Sequence, residues 1–266
     1  MPSPTLPPAC RPHASVATRA IASANQRLRV WLPRLAQLAL PNHCTLCGNL
    51  SPTVLCMACD EAYWNEPRLR CAVCALPLSG YRRAAAPYRC GDCIGTPPPF
   101  DTTLTLADYR APLDLLARGL KFRARFGLAR EFASRLAHMA EDALDPAHWP
   151  DVIVPVPLSA KRLVERGYNQ AWQIAKLLAK ALHVRADATL VRRVAHTAPQ
   201  SGFDLATRRH NVAHAFALTG SVHGLHVAVV DDVMTSGATL EALARTLKTA
   251  GARRVTNFVA LRTPRT

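Results

Sequence analysis

The chain's most informative stretch is Val227-Ala228-Val229-Val230-Asp231-Asp232-Val233-Met234-Thr235-Ser236-Gly237-Ala238-Thr239. Its first four residues are apolar and three are valine, and β-branched side chains suit a strand buried on both faces. Two carboxylates follow, where such a strand would surface at its C-terminal end. A short loop of hydroxyl residues with one glycine comes next. Leu240 to Ala250 then continues as a helix, with Leu240, Leu243, Ala244 and Leu247 on one face. A strand, a small polar loop and a helix start make an anion cradle, since free backbone N–H groups and the positive helix end point outward together. The carboxylates repel an anion; they suit hydroxyls or a bound cation beside a phosphate, the layout of a ribose 5-phosphate. The plain alternative is a strand–turn–helix whose Ser and Thr serve only as caps.

Working outward, strands and helices alternate. Thr103 to Tyr109 reads as a strand, Leu113 to Leu120 as a helix leading to Lys121-Phe122, and Phe126 to Ala143 as a longer helix. Val152 to Pro157 reads as a buried strand ending in a proline-rich loop, and Tyr168 to Leu182 as a helix. Leu190 to Val194 is a strand, His196 to His214 a polar loop, and Val255 to Leu261 the closing strand. This order predicts an α/β fold, a parallel sheet flanked by helices with its crevice at the strand C-termini. Lys121 reads as a surface lysine at a helix end.

Upstream lie Cys44-x-x-Cys47, Cys56-x-x-Cys59, Cys71-x-x-Cys74 and Cys90-x-x-Cys93. Each pair has the spacing that lets two thiolates reach one ion, and four pairs suffice for two closed tetrahedral zinc sites of four cysteines each. Gly48 and Gly91 suit the tight backbone of such knuckles. Disulfides are the alternative in an oxidising compartment. The spacing leaves the pairing open: sequential sites are simplest, and crossed sites are also compatible. Such a segment has few core apolars of its own and should depend on metal to fold. Thr96-Pro97-Pro98-Pro99 marks a boundary, so we expect a zinc-ribbon domain over 44–96 and an α/β domain over 100–266.

Residues 1–43 carry five arginines and no acid, are rich in Pro, Ala and Ser toward their start, and read as a basic, partly disordered extension. Arg27 to Leu40 has the pattern of a short amphipathic helix broken by Pro33. Cys10 lies outside the cysteine pattern. The net charge of +15 fits either a polyanionic partner, nucleic acid first, or simple solubility. No run approaches the roughly 20 apolar residues of a membrane-spanning helix, so a cytoplasmic location is expected.

The thirteen-residue stretch resembles the fingerprint of type I phosphoribosyltransferases for phosphoribosyl pyrophosphate (PRPP). The resemblance implies that Asp231 and Asp232 hold the ribose hydroxyls, and that Thr235, Ser236, Gly237, Ala238 and Thr239 hold the 5′-phosphate. It places Val154 to Arg162 as the pyrophosphate loop and His196 to His214 as a mobile loop that closes over PRPP. Lys161, Arg162 and Arg209 are then the candidate catalytic side chains, as cationic partners of the leaving group. Arg166-Gly167-Tyr168-Asn169-Gln170, followed by Gln200, Leu205, Arg209, Asn211, Ala215 and Phe216, narrows the resemblance to the ComF family. An N-terminal double zinc ribbon is part of that family's pattern.

The resemblance covers residues 44–262. It implies Mg²⁺ with PRPP, two structural Zn²⁺, and a role in DNA uptake during natural transformation or in the use of extracellular DNA. Single-stranded DNA and other DNA-uptake proteins at the inner membrane face are the implied partners. No stretch matches a purine-, pyrimidine- or orotate-type hood, and the cysteine segment is the candidate for that position. Three functions follow: phosphoribosyl transfer, a single-stranded-DNA-binding module regulated by PRPP, or a zinc-ribbon scaffold.

Overall fold

The computed structural model describes residues 42–64, 69–80, 87–145, 149–194 and 215–265. The expected N-terminal helix, Cys10, the polar loop over 196–214 and its Arg209 lie outside the described residues.

Near the start of the described chain, two short strands, β1 (Asn42–His43) and β2 (Leu50–Ser51), pair antiparallel and are followed by helix α1 (Met57–Tyr63). A one-turn helix, α2 (Gly91–Gly95), precedes the main sheet. That sheet comprises β3 (Thr102–Asp108), β4 (Val152–Pro155), β5 (Arg185–Ala186), β8 (His226–Met234) and β9 (Arg254–Arg262), in spatial order β3-β9-β8-β4-β5. Every neighbouring pair is parallel.

Helices α3 (Asp114–Phe122) and α4 (Phe126–Ala143) link β3 to β4, and α5 (Ala160–Arg166) and α6 (Gln170–Ala181) link β4 to β5. Helix α7 (Ala238–Thr249) links β8 to β9. A separate antiparallel pair, β6 (Val191–Arg193) and β7 (Phe216–Leu218), lies between β5 and β8 in the chain.

The valine-rich strands are buried on both faces, and their alternation assigns each side chain to one of two cores. Ile153, Ala228, Val230, Phe258 and Ala260 pack with α3, α4 and α6. Val152, Val154, Val227, Val229, Val255 and Val259 pack with α7. Helix α4 shows why it buries one face: Leu128, Ala129, Phe132, Ala133, Leu136, Ala137 and Ala140 recur at helical spacing and are all buried. Its alanines keep that face thin enough for close packing against Ala171, Ala175 and Ala179 of α6, all of them buried. Each fully buried leucine or phenylalanine in this layer contributes roughly 2–3 kcal/mol of transfer free energy. A charge at Ala175 would break the layer.

The sheet order fixes where a ligand can lie. The connection leaving β4 runs to β5 on one side, and the connection leaving β8 runs to β9 on the other. Strands β4 and β8 are neighbours, with Val154 opposite Val229 and Pro155 opposite Val230. Their C-terminal ends therefore open a crevice at a topological switch point.

The structure alters several element assignments. The expected strand over Leu225 to Asp231 is β8, which runs on past Asp231 to Met234 because β9 keeps pairing as far as Arg262. Lys161 and Arg162 sit in the first turn of α5, which Ser159 caps by accepting a bond from the Arg162 N–H at 3.3 Å. Strand β5 was not anticipated, and the strand expected over 190–194 pairs with β7 outside the parallel sheet. The segment over 196–214 thus joins two antiparallel strands, not two strands of the main sheet.

Candidate functional site

Asp231 and Asp232 end the buried run of β8, directly at the crevice. Asp232 is buried, and its Oδ2 lies 2.9 Å from Lys121 Nζ at the end of α3. Gln170 Nε2 approaches the other carboxylate oxygen at 3.5 Å, and Arg166 Nη1 donates to Gln170 Oε1 at 3.1 Å. Asp231 Oδ1 accepts the Asp232 N–H at 2.9 Å. Burial, then the neighbouring Asp232 charge, pushes the Asp231 carboxyl well above the usual carboxylate range, although part of its surface stays open. Two acids crowded in this way need a hydroxyl donor or a cation to ionise together.

After Met234 the chain turns through exposed Thr235 and Ser236 to buried Gly237. Gly237 has φ +89°, and a Cβ there would meet Met234 Cε at 2.6 Å. Glycine takes this left-handed turn at the start of α7 without strain. Ser236 Oγ accepts from the Ala238 N–H at 3.4 Å. The loop thus joins the C-terminal end of β8 to the N-terminus of α7, the kind of position where unpaired helix N–H groups favour an anion.

On the neighbouring strand, the Val156 N–H donates to Val230 O at 2.9 Å and Asn169 Nδ2 donates to Val156 O at 3.0 Å. These bonds hold the loop after β4 against β8. Lys161 and Arg162 follow it on exposed positions. Arg162 is close enough to Arg193 of β6 that its charge adds to burial in lowering the Arg193 pKa. Arg162 and Arg193 therefore place two like charges near each other beside the loop that leaves β4.

The Arg166-Gly167-Tyr168-Asn169-Gln170 run acts as a brace. Gly167, at φ +74°, ends α5 in the left-handed conformation. Asn169 caps α6 by accepting from the Trp172 N–H at 3.3 Å. Tyr168 stacks edge-on against Phe126, with ring centroids 5.0 Å apart, and donates its hydroxyl to Leu120 O.

The cysteines form two groups, Cys44/47/56/59 and Cys71/74/90/93, with all thiol sulfurs in each group within 4.8 Å of one another. The pairing is sequential. Each group repeats one design. Gly48 N–H donates to Cys44 O and Ala75 N–H to Cys71 O, both at 2.9 Å. Cys56 N–H reaches Cys44 Sγ and Cys90 N–H reaches Cys71 Sγ, both at 3.3 Å. The residue after the first pair takes positive φ, Gly48 at +77° and Ala75 at +56°. The expectation for Gly91 is corrected: it starts α2 with ordinary helical backbone, and Ala75 occupies the tight position instead.

The donor sets fit zinc. Zn–S bonds of about 2.3 Å in a tetrahedron put sulfurs about 3.8 Å apart. Cys47 and Cys56 Sγ are separated by 3.7 Å, and Cys74 and Cys90 Sγ by 3.6 Å. Burial opposes ionisation of Cys44, but N–H groups of Cys47, Cys56 and Leu46 outweigh it and hold the thiol at about 6. Cys59 is pushed up to about 12, by burial first and then by the neighbouring thiols. Burial and the same crowding raise Cys93. Four such thiolates coexist only around a cation.

These centres belong to the two cores. Cys44, Leu55, Cys59 and Trp64 join the α4 side, where Arg135 pairs with Asp60 and lies 4.9 Å from the Trp64 ring centroid. Cys71, Val73, Cys74, Cys90 and Cys93 join the α7 side.

A family model described as phosphoribosyl transferase domain matches residues 130–266. "Competence protein F" of Haemophilus influenzae is 32% identical over 219 residues, covering 80% of this chain and 92% of that protein. The chain belongs to the ComF family of phosphoribosyl transferase-domain proteins. Within this family, "DNA utilization protein YhgH" of Salmonella typhimurium is 36% identical over 233 residues, with 85% of this chain and 99% of that protein covered. The protein of the same name from Escherichia coli O157:H7 is 34% identical over 237 residues, with the same coverage. No helix among the described residues is long and apolar enough to cross a membrane.

Two side chains of this ComF-family site escape a reading of the sequence. Lys121 is not a free surface lysine but the partner of Asp232. Arg262, at the end of β9, is 2% exposed and donates to Met234 O at 3.1 Å and to Thr235 O. A lone arginine at a strand end carries no local signal of this role.

Proposed function

We propose that this protein binds PRPP, with Mg²⁺ shielding the pyrophosphate, in the crevice between β4 and β8. Asp231 and Asp232 accept from the ribose hydroxyls, and Thr235 to Thr239 hold the 5′-phosphate. Lys161 and Arg162 face the pyrophosphate, joined by Arg209. The observation that carries this reading is the acidic pair at the end of β8, followed closely by the left-handed glycine that opens α7. A magnesium ion favours oxygen ligands and keeps much of its water, so pyrophosphate and the acidic pair suffice for it. Transfer would follow if pyrophosphate leaves C1 of the ribose as an acceptor attacks, and cationic clamping of that leaving group is this chain's contribution.

Calorimetry with PRPP and Mg²⁺ tests the donor site. Wild type should bind, and Asp231→Asn/Asp232→Asn should lose at least about tenfold in affinity, as expected for losing hydrogen bonds to charged groups. Equal affinity in a folded double variant would sink the assignment. Pyrophosphate release across candidate acceptors, DNA included, then separates transfer from binding.

The relatives' names place those proteins in DNA utilization and competence, and we propose the same process for this chain. A second reading, a single-stranded-DNA-binding module in which PRPP only regulates, is favoured by the net charge of +15. Its affinity should fall steeply with salt, since released counterions drive such binding. A flat salt response would remove it.

A further inference from the structure

We infer that Arg262 is a positioning residue that makes the shape of the phosphate loop conditional on the second four-cysteine centre. Among the described residues, Arg262 is the largest of the fully buried side chains. Its Nε donates to the carbonyl of Cys74, a ligand of that centre, at 3.1 Å. Its Nη1 donates to Met234 O at 3.1 Å, to Thr235 O, and to Thr263 O at 2.9 Å. One rigid guanidinium thus ties a metal knuckle to the two residues that open the phosphate loop.

The knuckle is shaped for this contact. Directly after Cys74, Ala75 adopts φ +56°, a conformation an alanine takes only when its surroundings impose it. Arg70 holds the Ala75 carbonyl at 3.2 Å and pairs with buried Asp108 at 2.8 Å. Asp108, Arg262 and Met234 lie in register across β3, β9 and β8. The knuckle is therefore pinned along the same sheet edge that carries the loop.

Charge points the same way. Among the described residues, no carboxylate pairs with Arg262. A buried guanidinium needs a counter-charge as well as hydrogen-bond acceptors. Four thiolates around one divalent zinc carry net negative charge, and Cys74 brings that charge to the arginine. With the metal gone, neither the Cys74 carbonyl nor the counter-charge is fixed, and the Met234 and Thr235 carbonyls lose their anchor. Linkage requires the converse: a ligand held by the loop must retain zinc in the second centre.

The test is amide exchange of the 234–239 segment, with α4 as internal reference, on full-length protein. Cys47→Ser/Cys56→Ser removes the first centre and leaves one zinc to strip with a chelator. If that variant does not fold, staged stripping of wild type supplies the same comparison. Removing the second zinc should speed exchange in the loop by about tenfold or more while α4 stays protected, the size expected for losing charge-assisted bonds. Arg262→Met should exchange equally fast with zinc bound, and Arg262→Lys, which keeps the charge but not the fork, should fall between. An unchanged loop, or a loop and α4 that open together, would overturn the inference. The inference rests on the PRPP reading only for one arm: PRPP with Mg²⁺ should slow release of the second zinc. A wild type that binds no PRPP would refute the proposed function and leave the exchange result to judge this inference.

Discussion

Lys121 Nζ sits 2.9 Å from Asp232 Oδ2, and the carboxylate is the more buried partner of this pair. The pair links α3 to the end of β8, so a residue 111 positions upstream brings a cation to the acidic pair. Lys121→Met should cost about 2 kcal/mol of stability, between the values for exposed and buried pairs, because it strands a buried carboxylate. Adding Asp232→Asn should recover part of that loss. Denaturant midpoints of the two single variants and the double variant check this; strictly additive losses would show that the pair has no coupling.

Asp231 predicts an exchange of stability for binding. Its pKa is raised in the folded state by burial and by Asp232. The folded protein therefore holds this proton more tightly than the unfolded chain, whose Asp titrates near about 4. The associated stability is full below that value and is lost as pH rises through the folded pKa. Asp231→Asn should be more stable than wild type at neutral pH and should lose PRPP. An Asn variant with lower stability at pH 7 would contradict the crowding of the two acids.

His226 pulls the opposite way. It is fully buried, bonds Thr256 Oγ1 at 2.8 Å, and is held down at about 4 by burial and then by Arg254. A base depressed on folding gives stability that is full above its unfolded pKa of about 6.5 and is lost as pH falls through the folded value. Between about pH 6.5 and about 4 the slope should reach at most about 1.4 kcal/mol per pH unit. His226→Gln should flatten that segment of the profile in thermal or denaturant melts. An unchanged slope would assign the acid sensitivity to other groups.

Much of this was legible where the signal is local. The strand, acidic pair, glycine loop and helix around Asp231 are contiguous, so a short-range pattern captures them, and the same holds for the spaced cysteine pairs. The expected range of α4, Phe126 to Ala143, matches because its apolar stripe runs for 18 residues without a competing signal. What stayed hidden depends on distant partners. Arg262 and Cys74 are 188 residues apart in the chain, and nothing near either one announces the bond. Strand β5 has only two residues, too few for any period, and exists because β4 offers a free edge. Lys161 and Arg162 carry loop-like composition, yet the Ser159 cap turns them into a helix start.

The two cysteine centres should release metal at different rates. In the first, Cys47 is exposed and Cys56 half-buried; in the second, all four thiols are buried. An organomercurial attacks accessible sulfur first, so zinc should leave in two phases, one equivalent each, with the fast phase abolished by Cys47→Ser/Cys56→Ser. A single phase, or a total other than two zinc ions per chain, would contradict the paired-centre reading.

Gly237 should be the least replaceable residue of the phosphate loop. Its φ of +89° disfavours any L side chain, and the added Cβ would lie 2.6 Å from Met234 Cε. The methionine end is flexible and can yield, so the backbone conformation supplies most of the cost, about 1–2 kcal/mol. Gly237→Ala should therefore remain folded, with a lowered melting temperature, while the N–H groups at the start of α7 no longer converge. PRPP affinity should fall by more than the stability loss alone implies, at least about tenfold. Gly224, also at positive φ but with nothing within 4 Å of its added Cβ, is the control. Gly224→Ala should show a similar backbone cost with PRPP affinity unchanged. Equal effects of the two substitutions on PRPP would mean that the loop's shape, and with it the cradle, does not govern binding.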